Sequence, residues 1–362
     1  MRIHWLRSCL LVFALLVTTV GPAAACTGIV LTAKDGAVVR GRTLEFGNPL
    51  DSDVILIPRG FAMTGITPGG ENNGLTWTAK YAAAGANGVG LPDIVDGLNE
   101  MGLGGGIFYF PGFAGYQDIA DDERSQAIAP WQLMTWALTS FATIDEVKVA
   151  LPKIKVGAVE LAALGGVPPM HYFLTDATGK SIAVEYVDGV LTVYDDRFGV
   201  FTNAPAFDWH TTNLRNYINI SPDPQRPVDL DDVNLDPFST GGNLFGMPGD
   251  FSSPSRFVRA VVFSEMSTPI ATGPDAVMQG FHILDNFDIP EGSVPEPTGS
   301  DPPYESTEWT TMSDLKALTF YIWTNDNRSI QTLDLSTLDL DGREIRTFDL
   351  DQPQTFIALG ES

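Results

Sequence analysis

After an apolar segment from Leu10 to Val20, the pattern of the chain becomes that of strands. Thr27 to Thr32, Ala37 to Arg42, Val54 to Pro58 and Leu75 to Ala82 are β-branched or aromatic runs with turn residues between them, and they read as a meander. From Trp131 to Phe141 the apolar residues recur at helical spacing, and Thr143 with Glu146 three positions later marks the start of a second helix. Strands return at Met170 to Thr175, Ser181 to Tyr186 and Leu191 to Tyr194, with turns at Asp176 to Lys180 and at Asp188-Gly189. The stretch Asn203 to Gly249, rich in Asn, Asp, Pro and Gly, is too long for a plain connector and reads as a functional or assembly loop. Ser255 is placed to cap a helix over Arg256 to Met266, Gly273 to Leu284 gives another, and strands near Leu318 to Thr324 and Ile330 to Leu335 close the chain. Ile289 to Tyr304 reads as a linker too close to the C-terminus to bound a second domain, so residues 26–362 are expected to form one α+β domain.

The apolar segment changes meaning with its flanks. Arg2 and Arg7 precede it and small residues, Ala23 and Ala25, follow, which is the pattern of a cleaved export signal ending at Ala25. The run is shorter than the roughly 20 residues a membrane-spanning helix needs, so no stable membrane insertion is expected after processing. The expected location is periplasmic or extracellular. A cysteine directly after small residues also fits the acceptor of a lipid anchor, which leaves open a non-catalytic binding protein acylated at Cys26; Ala23 stands where that pattern wants a Leu-like residue.

Of two cysteines in 362 residues, Cys9 lies in the leader and Cys26 would be the first residue of the mature chain. One cysteine forms no internal disulfide, and a lone thiol at a terminus suggests chemistry. Such a residue carries nucleophile and base together, because its own α-amine, with a reference pKa of about 7.7 to 8.0, accepts the thiol proton near neutral pH. No histidine is needed, and His171, His210 and His282 have no metal-ligand spacing, which weakens a metal-dependent amidase. The three are read as structural or substrate-lining. A formal charge of -24 argues against nucleic acid as a partner.

Cys26-Thr27-Gly28 followed by Gly41-Arg42-Thr43-Leu44-Glu45-Phe46 resembles the start of the choloylglycine hydrolase and penicillin V acylase family of N-terminal nucleophile hydrolases. Further blocks follow in the same order: Asp96-Gly97-Leu98-Asn99-Glu100 with Phe108-Tyr109-Phe110-Pro111, Thr202-Asn203-Ala204-Pro205, Ser255-Arg256-Phe257 and Thr307-Glu308-Trp309-Thr310. The resemblance implies a four-layer αββα sandwich, no cofactor and no metal, a small-molecule amide substrate, and a homotetramer with contacts placed between Asp208 and Phe245. It implies a catalytic set of Cys26, Arg42, Glu45, Tyr109, Asn203 and Arg256. Cys26 is the expected nucleophile, and Arg42 favours its thiolate. Glu45 stands where the family commonly has aspartate and is expected to hold the terminal amine. Asn203 and the Tyr109 backbone N–H are expected at the oxyanion, with Arg256 as a second positive group. Tyr109, where bile-salt hydrolases tend to carry asparagine, leans toward penicillin V acylase-like or acyl homoserine lactone acylase-like activity, with conjugated bile salt hydrolysis as the alternative. Phe46, Phe108, Phe110 and Phe113 are expected to line the pocket.

Overall fold

The computed structural model describes residues 25–295 and 304–360. Apart from Ala25, the expected leader and Cys9 lie outside these residues, as does the middle of the expected linker. Two antiparallel sheets face one another. The first runs, in spatial order, Val200–Phe201, Cys26–Thr32, Val38–Phe46, Tyr304–Asp314, Thr319–Thr324 and Gln331–Asp334, with Val294–Pro295 paired to the fourth of these. The second runs Val190–Asp196, Ser181–Val187, Met170–Thr175, Gly104–Tyr109, Asp96–Asn99, Ala83–Ala86, Val54–Ile57 and Arg346–Phe348. Helix α1 (Gln132–Ser140), followed by α2 (Ile144–Ala150), covers the second sheet, and after the short α3 (Phe207–Asn213), α4 (Ser253–Met266) and α5 (Gly273–Leu284) cover the first. The result is the expected four-layer αββα sandwich.

Between two layers, a strand has no solvent face. All nine residues of Val38–Phe46 are buried, because one face meets α5 and the other meets the second sheet. Alternation along that strand points Arg40 and Arg42 at the second sheet. Arg40 Nη2 meets Asp96 Oδ1 at 2.9 Å, and the Thr311 hydroxyl donates to Asp96 Oδ2 at 2.7 Å, so a fully buried ion pair bridges the sheets. Removing either partner would strand a buried charge, at a cost on the order of 3–5 kcal/mol. Space for the pair comes from Gly104-Gly105-Gly106. A Cβ on Gly106 would lie 2.4 Å from Asp96 Oδ1 and one on Gly104 2.7 Å from Arg40 Cδ, while one on Gly105, facing the other way, would strike Met134 Sδ at 2.5 Å.

Asn99 anchors helix to sheet. Its Nδ2 donates to the carbonyls of Leu138 and Phe141 at the end of α1, each at 2.7 Å, and its Oδ1 accepts from the N–H groups of Met101 and Leu103 at 2.9 and 3.0 Å.

Three expectations need correction. The early strands are not a meander: Cys26–Thr32 and Val38–Phe46 pair in the first sheet, Val54–Ile57 crosses to the second, and Leu75 to Ala82 supplies only Thr76–Thr78, hairpinned to Ala62–Thr64. The other edge of Val38–Phe46 is taken by Tyr304–Asp314, a remote strand that local pattern did not reveal. Helix α4 begins at Ser253 rather than after Ser255, since Pro254 fits a first helical turn and Ser255 instead donates its hydroxyl to Asp250 Oδ2 at 2.7 Å.

Gly106→Ala should lower stability by about 1–3 kcal/mol through overpacking. Gly166→Ala, where an added Cβ meets nothing within 4 Å, should be nearly neutral. Equal melting temperatures for the two variants would contradict this account of the inter-sheet pair.

Candidate active site

Cys26 begins the first strand and is only 3 % exposed. It lies opposite Leu44, and Gly28 lies opposite Arg42, so alternation turns Cys26, Arg42, Leu44 and Phe46 toward the second sheet while Thr27, Thr43 and Glu45 turn toward α4. Gly28 is required there, since a Cβ would come within 2.9 Å of the Phe108 ring.

Arg256 reaches in from the first turns of α4. Its Nη1 donates to the Cys26 carbonyl and, at 2.9 Å, to Thr27 Oγ1; its Nη2 donates to Asn203 Oδ1 at 2.8 Å and its Nε to the Phe251 carbonyl at 2.8 Å. Asn203 Oδ1 also accepts from the Cys26 nitrogen at 2.6 Å. That nitrogen belongs to the Ala25–Cys26 peptide in the full chain and stands in for the α-amine of a chain beginning at Cys26.

Arg42 is wedged between aromatic faces, its guanidinium carbon 4.1 Å from the Phe108 ring centre and 5.4 Å from that of Trp309. Nη1 donates to the Ile107 carbonyl and Nε to the Thr43 carbonyl, and Nη2 has no hydrogen-bond partner among the described residues. A buried guanidinium N–H is therefore left available beside Cys26. Burial pushes the Cys26 thiol pKa up; Arg42 and then Arg256 pull it down, with Glu45 opposing them.

Two expected roles are altered by the contacts. Glu45 does not hold the Cys26 nitrogen: its Oε1 accepts from the Thr307 hydroxyl at 3.2 Å and its Oε2 has no hydrogen-bond partner among the described residues. Asn203 is a brace before it is an oxyanion donor. Its Nδ2 donates to the Tyr109 carbonyl at 2.8 Å, leaving one N–H, and its own carbonyl bonds His210 Nε2 at 2.9 Å. Strand alternation accounts for the Glu45 contact, since Glu45 turns to the face opposite Cys26. Burial drives Glu45 up to about 8 against the pull of Arg256.

The histidines divide. Burial lowers His210 to about 4, which keeps it neutral beneath Asn203, and His171 is buried against Glu185 and stacked on Phe110 at 4.2 Å. His282 is exposed on α5, neither core nor substrate-lining. Thr27, Glu305 and Thr307 touch the site without having been assigned a role from sequence, although Thr27 and Thr307 lay in quoted blocks.

Beyond Cys26 opens a cavity with about 70 Å³ of interior space. Away from Arg42, Glu45 and Tyr109 its walls are apolar, including Leu91, Val95, Trp131, Leu161, Leu164 and Met170. Phe46 and Phe108 line it as expected, and Phe46 meets Tyr109 edge-on at 5.4 Å. Phe110 and Phe113 do not: Phe110 turns away onto His171 and Phe113 stacks on Phe110 from outside.

This sandwich, with a buried cysteine opening its first strand at the head of a cavity, defines an N-terminal nucleophile hydrolase. The chain belongs to the linear amide C-N hydrolases of the choloylglycine hydrolase family, whose family model matches residues 26–348. It is an amidohydrolase acting on linear amides. It is 32% identical over 327 residues to the bile salt hydrolase/transferase of Clostridium perfringens, covering 89% of this chain and 96% of that protein. It is 24% identical over 383 residues to the penicillin V acylase of Pectobacterium atrosepticum, covering 99% and 94%. A crystal structure of a variant of the conjugated bile acid hydrolase from Clostridium perfringens superposes with a TM-score of 0.82 at 28% identity, covering 92% of this chain and all of that one.

In the chain that retains Ala25, burial raises the folded pKa of Glu45 above its ordinary value of 4.5. From that value up to about 8 the folded state keeps a proton the unfolded state has lost, so stability should fall as pH rises through this window and level off above it. Glu45→Gln should flatten the decline, checked by chemical denaturation at a series of pH values; an unchanged slope would remove Glu45 as its source.

Proposed function

We propose that the chain is exported, that cleavage after Ala25 frees the α-amine of Cys26, and that the mature enzyme hydrolyses N-acyl amides with a slender apolar acyl group, as in penicillin V or a long-chain acyl homoserine lactone. The observation that carries the substrate reading is the cavity wall beyond Cys26, which offers aliphatic and aromatic surface and few polar groups away from the nucleophile. A hydroxylated steroid would leave its hydroxyls unpaired against such a wall, and each unsatisfied buried group costs about 1–3 kcal/mol.

The chemistry follows from the residues around Cys26. The thiol proton passes to the α-amine held by Asn203; Sγ attacks the amide carbonyl; the ammonium returns the proton to the leaving amine; water then cleaves the thioester. Arg42, with Nη2 free, steadies the thiolate. The remaining N–H of Asn203 and the backbone N–H of Tyr109 are the donors for the oxyanion. Arg256 fixes Cys26 and Asn203 relative to one another. Subunit association is placed on the segment from Asp208 to Phe245, where Ile218, Phe238 and Phe245 are exposed and the hairpin Val228–Leu230 with Val233–Leu235 shows apolar side chains to solvent.

A second reading, hydrolysis of conjugated bile salts, is favoured by the identity of the relatives, since the more similar named ones are bile salt hydrolases and the penicillin V acylase is more distant.

Cys26→Ala should abolish turnover and leave the fold intact, because it deletes one thiol and little core volume. Residual activity above a few per cent of the parent would remove Cys26 as nucleophile. For the substrate class, kcat/KM on penicillin V or a long-chain acyl homoserine lactone should exceed that on glycocholate. A glycocholate value about ten times the better of the other two would decide for the bile-salt reading.

A further inference from the structure

The residue before the nucleophile is itself buried in the site. Ala25 is 5 % exposed; its carbonyl accepts from Glu45 N at 2.8 Å, and its N–H donates to Glu305 Oε1. Glu305 is the second residue of Tyr304–Asp314, is buried, and precedes by two the Thr307 that holds Glu45. The nitrogens of Ala25 and Cys26 are separated by one residue, whose Cα-to-Cα step is about 3.8 Å. Loss of Ala25 therefore opens a space with the Cys26 α-amine on one side and the Glu305 carboxylate on the other.

We propose that Glu305 is a positioning residue for catalysis: its carboxylate takes over the α-ammonium of Cys26 in the space that Ala25 leaves. This rests on the proposed cleavage after Ala25. It fills the role expected of Glu45, which the structure shows turned to Thr307 instead.

The charges facing the amine support the assignment. Arg42 and Arg256 bring two positive groups, Glu45 and Glu305 two carboxyls, and these act on one another, Arg256 favouring ionised Glu45 and Glu305 opposing it. Tyr109, Asn203 and the neutral His210 complete the surroundings. When the Sγ–H bond breaks and its proton forms an N–H bond on the amine, one thiolate and one ammonium appear together. The transfer adds one positive and one negative charge at once, so the net charge of the buried site does not change. With Glu305 neutral, the ammonium would face two arginines and Glu45, whose pKa burial pushes up to about 8.

The mature chain has a single cysteine, so [13C]cysteine labelling gives one residue whose Cα shift follows the amine and whose Cβ shift follows the thiol. An opposite charge at close range raises an amine's pKa, so in Glu305→Gln the Cα midpoint should move to lower pH by about one unit. Glu305→Asp keeps the charge and should stay close to the parent, which separates charge from packing if the glutamine variant folds poorly. On an amide substrate, kcat in Glu305→Gln should fall about tenfold with KM little changed. Intact mass decides the premise. A chain that keeps Ala25 overturns the cleavage and this proposal with it; a processed chain whose amine titrates identically in Glu305→Gln overturns this proposal alone.

Discussion

The guanidinium of Arg256 is the contact on which the site depends. Fully buried, it bonds the carbonyl of the first strand's first residue, the hydroxyl of its second, the Asn203 side chain and the carbonyl of Phe251. Those four acceptors come from three separate stretches of chain. An arginine holds them as a lysine would not, because its donors lie in a fixed plane and are loosely hydrated. Burial lowers the pKa of Arg256, while Glu45, Cys26 and Glu305 restore it, so the cation and the anions around it justify one another's presence in the interior.

A second polar system, Arg40 with Asp96 and Thr311, joins the two sheets on the same strand that carries Arg42. Two residues apart on one face, Arg40 fixes the spacing of the sheets and Arg42 uses it, reaching the Ile107 carbonyl across the gap. The glycines opposite them are what the spacing requires. The cavity begins where this polar layer ends, which puts charge at the reacting end and hydrocarbon beyond it.

Much of this was legible in the sequence, and what was not has a common cause. Helix α5 fell where spacing placed it, the Asp188-Gly189 turn has the positive φ at both residues that a tight hairpin needs, and the quoted blocks brought the six expected residues to one place. Spacing along a chain reports local periodicity and nothing about partners. It could not tell that Val38–Phe46 is flanked by a strand 260 residues away, so the early strands looked like neighbours. Nor could it show that Tyr304–Asp314 follows directly on a stretch resembling a linker, which hid Glu305. That Asn203, and not Glu45, meets the Cys26 nitrogen depends on contacts between remote segments, which sequence position alone does not supply.

The distance along the chain between the parts of the site sets an order of events. Glu45 meets Thr307 across 262 residues and Arg256 meets Cys26 across 230. On a ribosome that adds roughly 5–20 residues per second, the nucleophile is made first and its surroundings last. Until Asn203, Arg256 and the strand ending at Asp314 have been made, Cys26 lacks the groups that surround it. The thiol therefore meets its completed surroundings only near the end of synthesis.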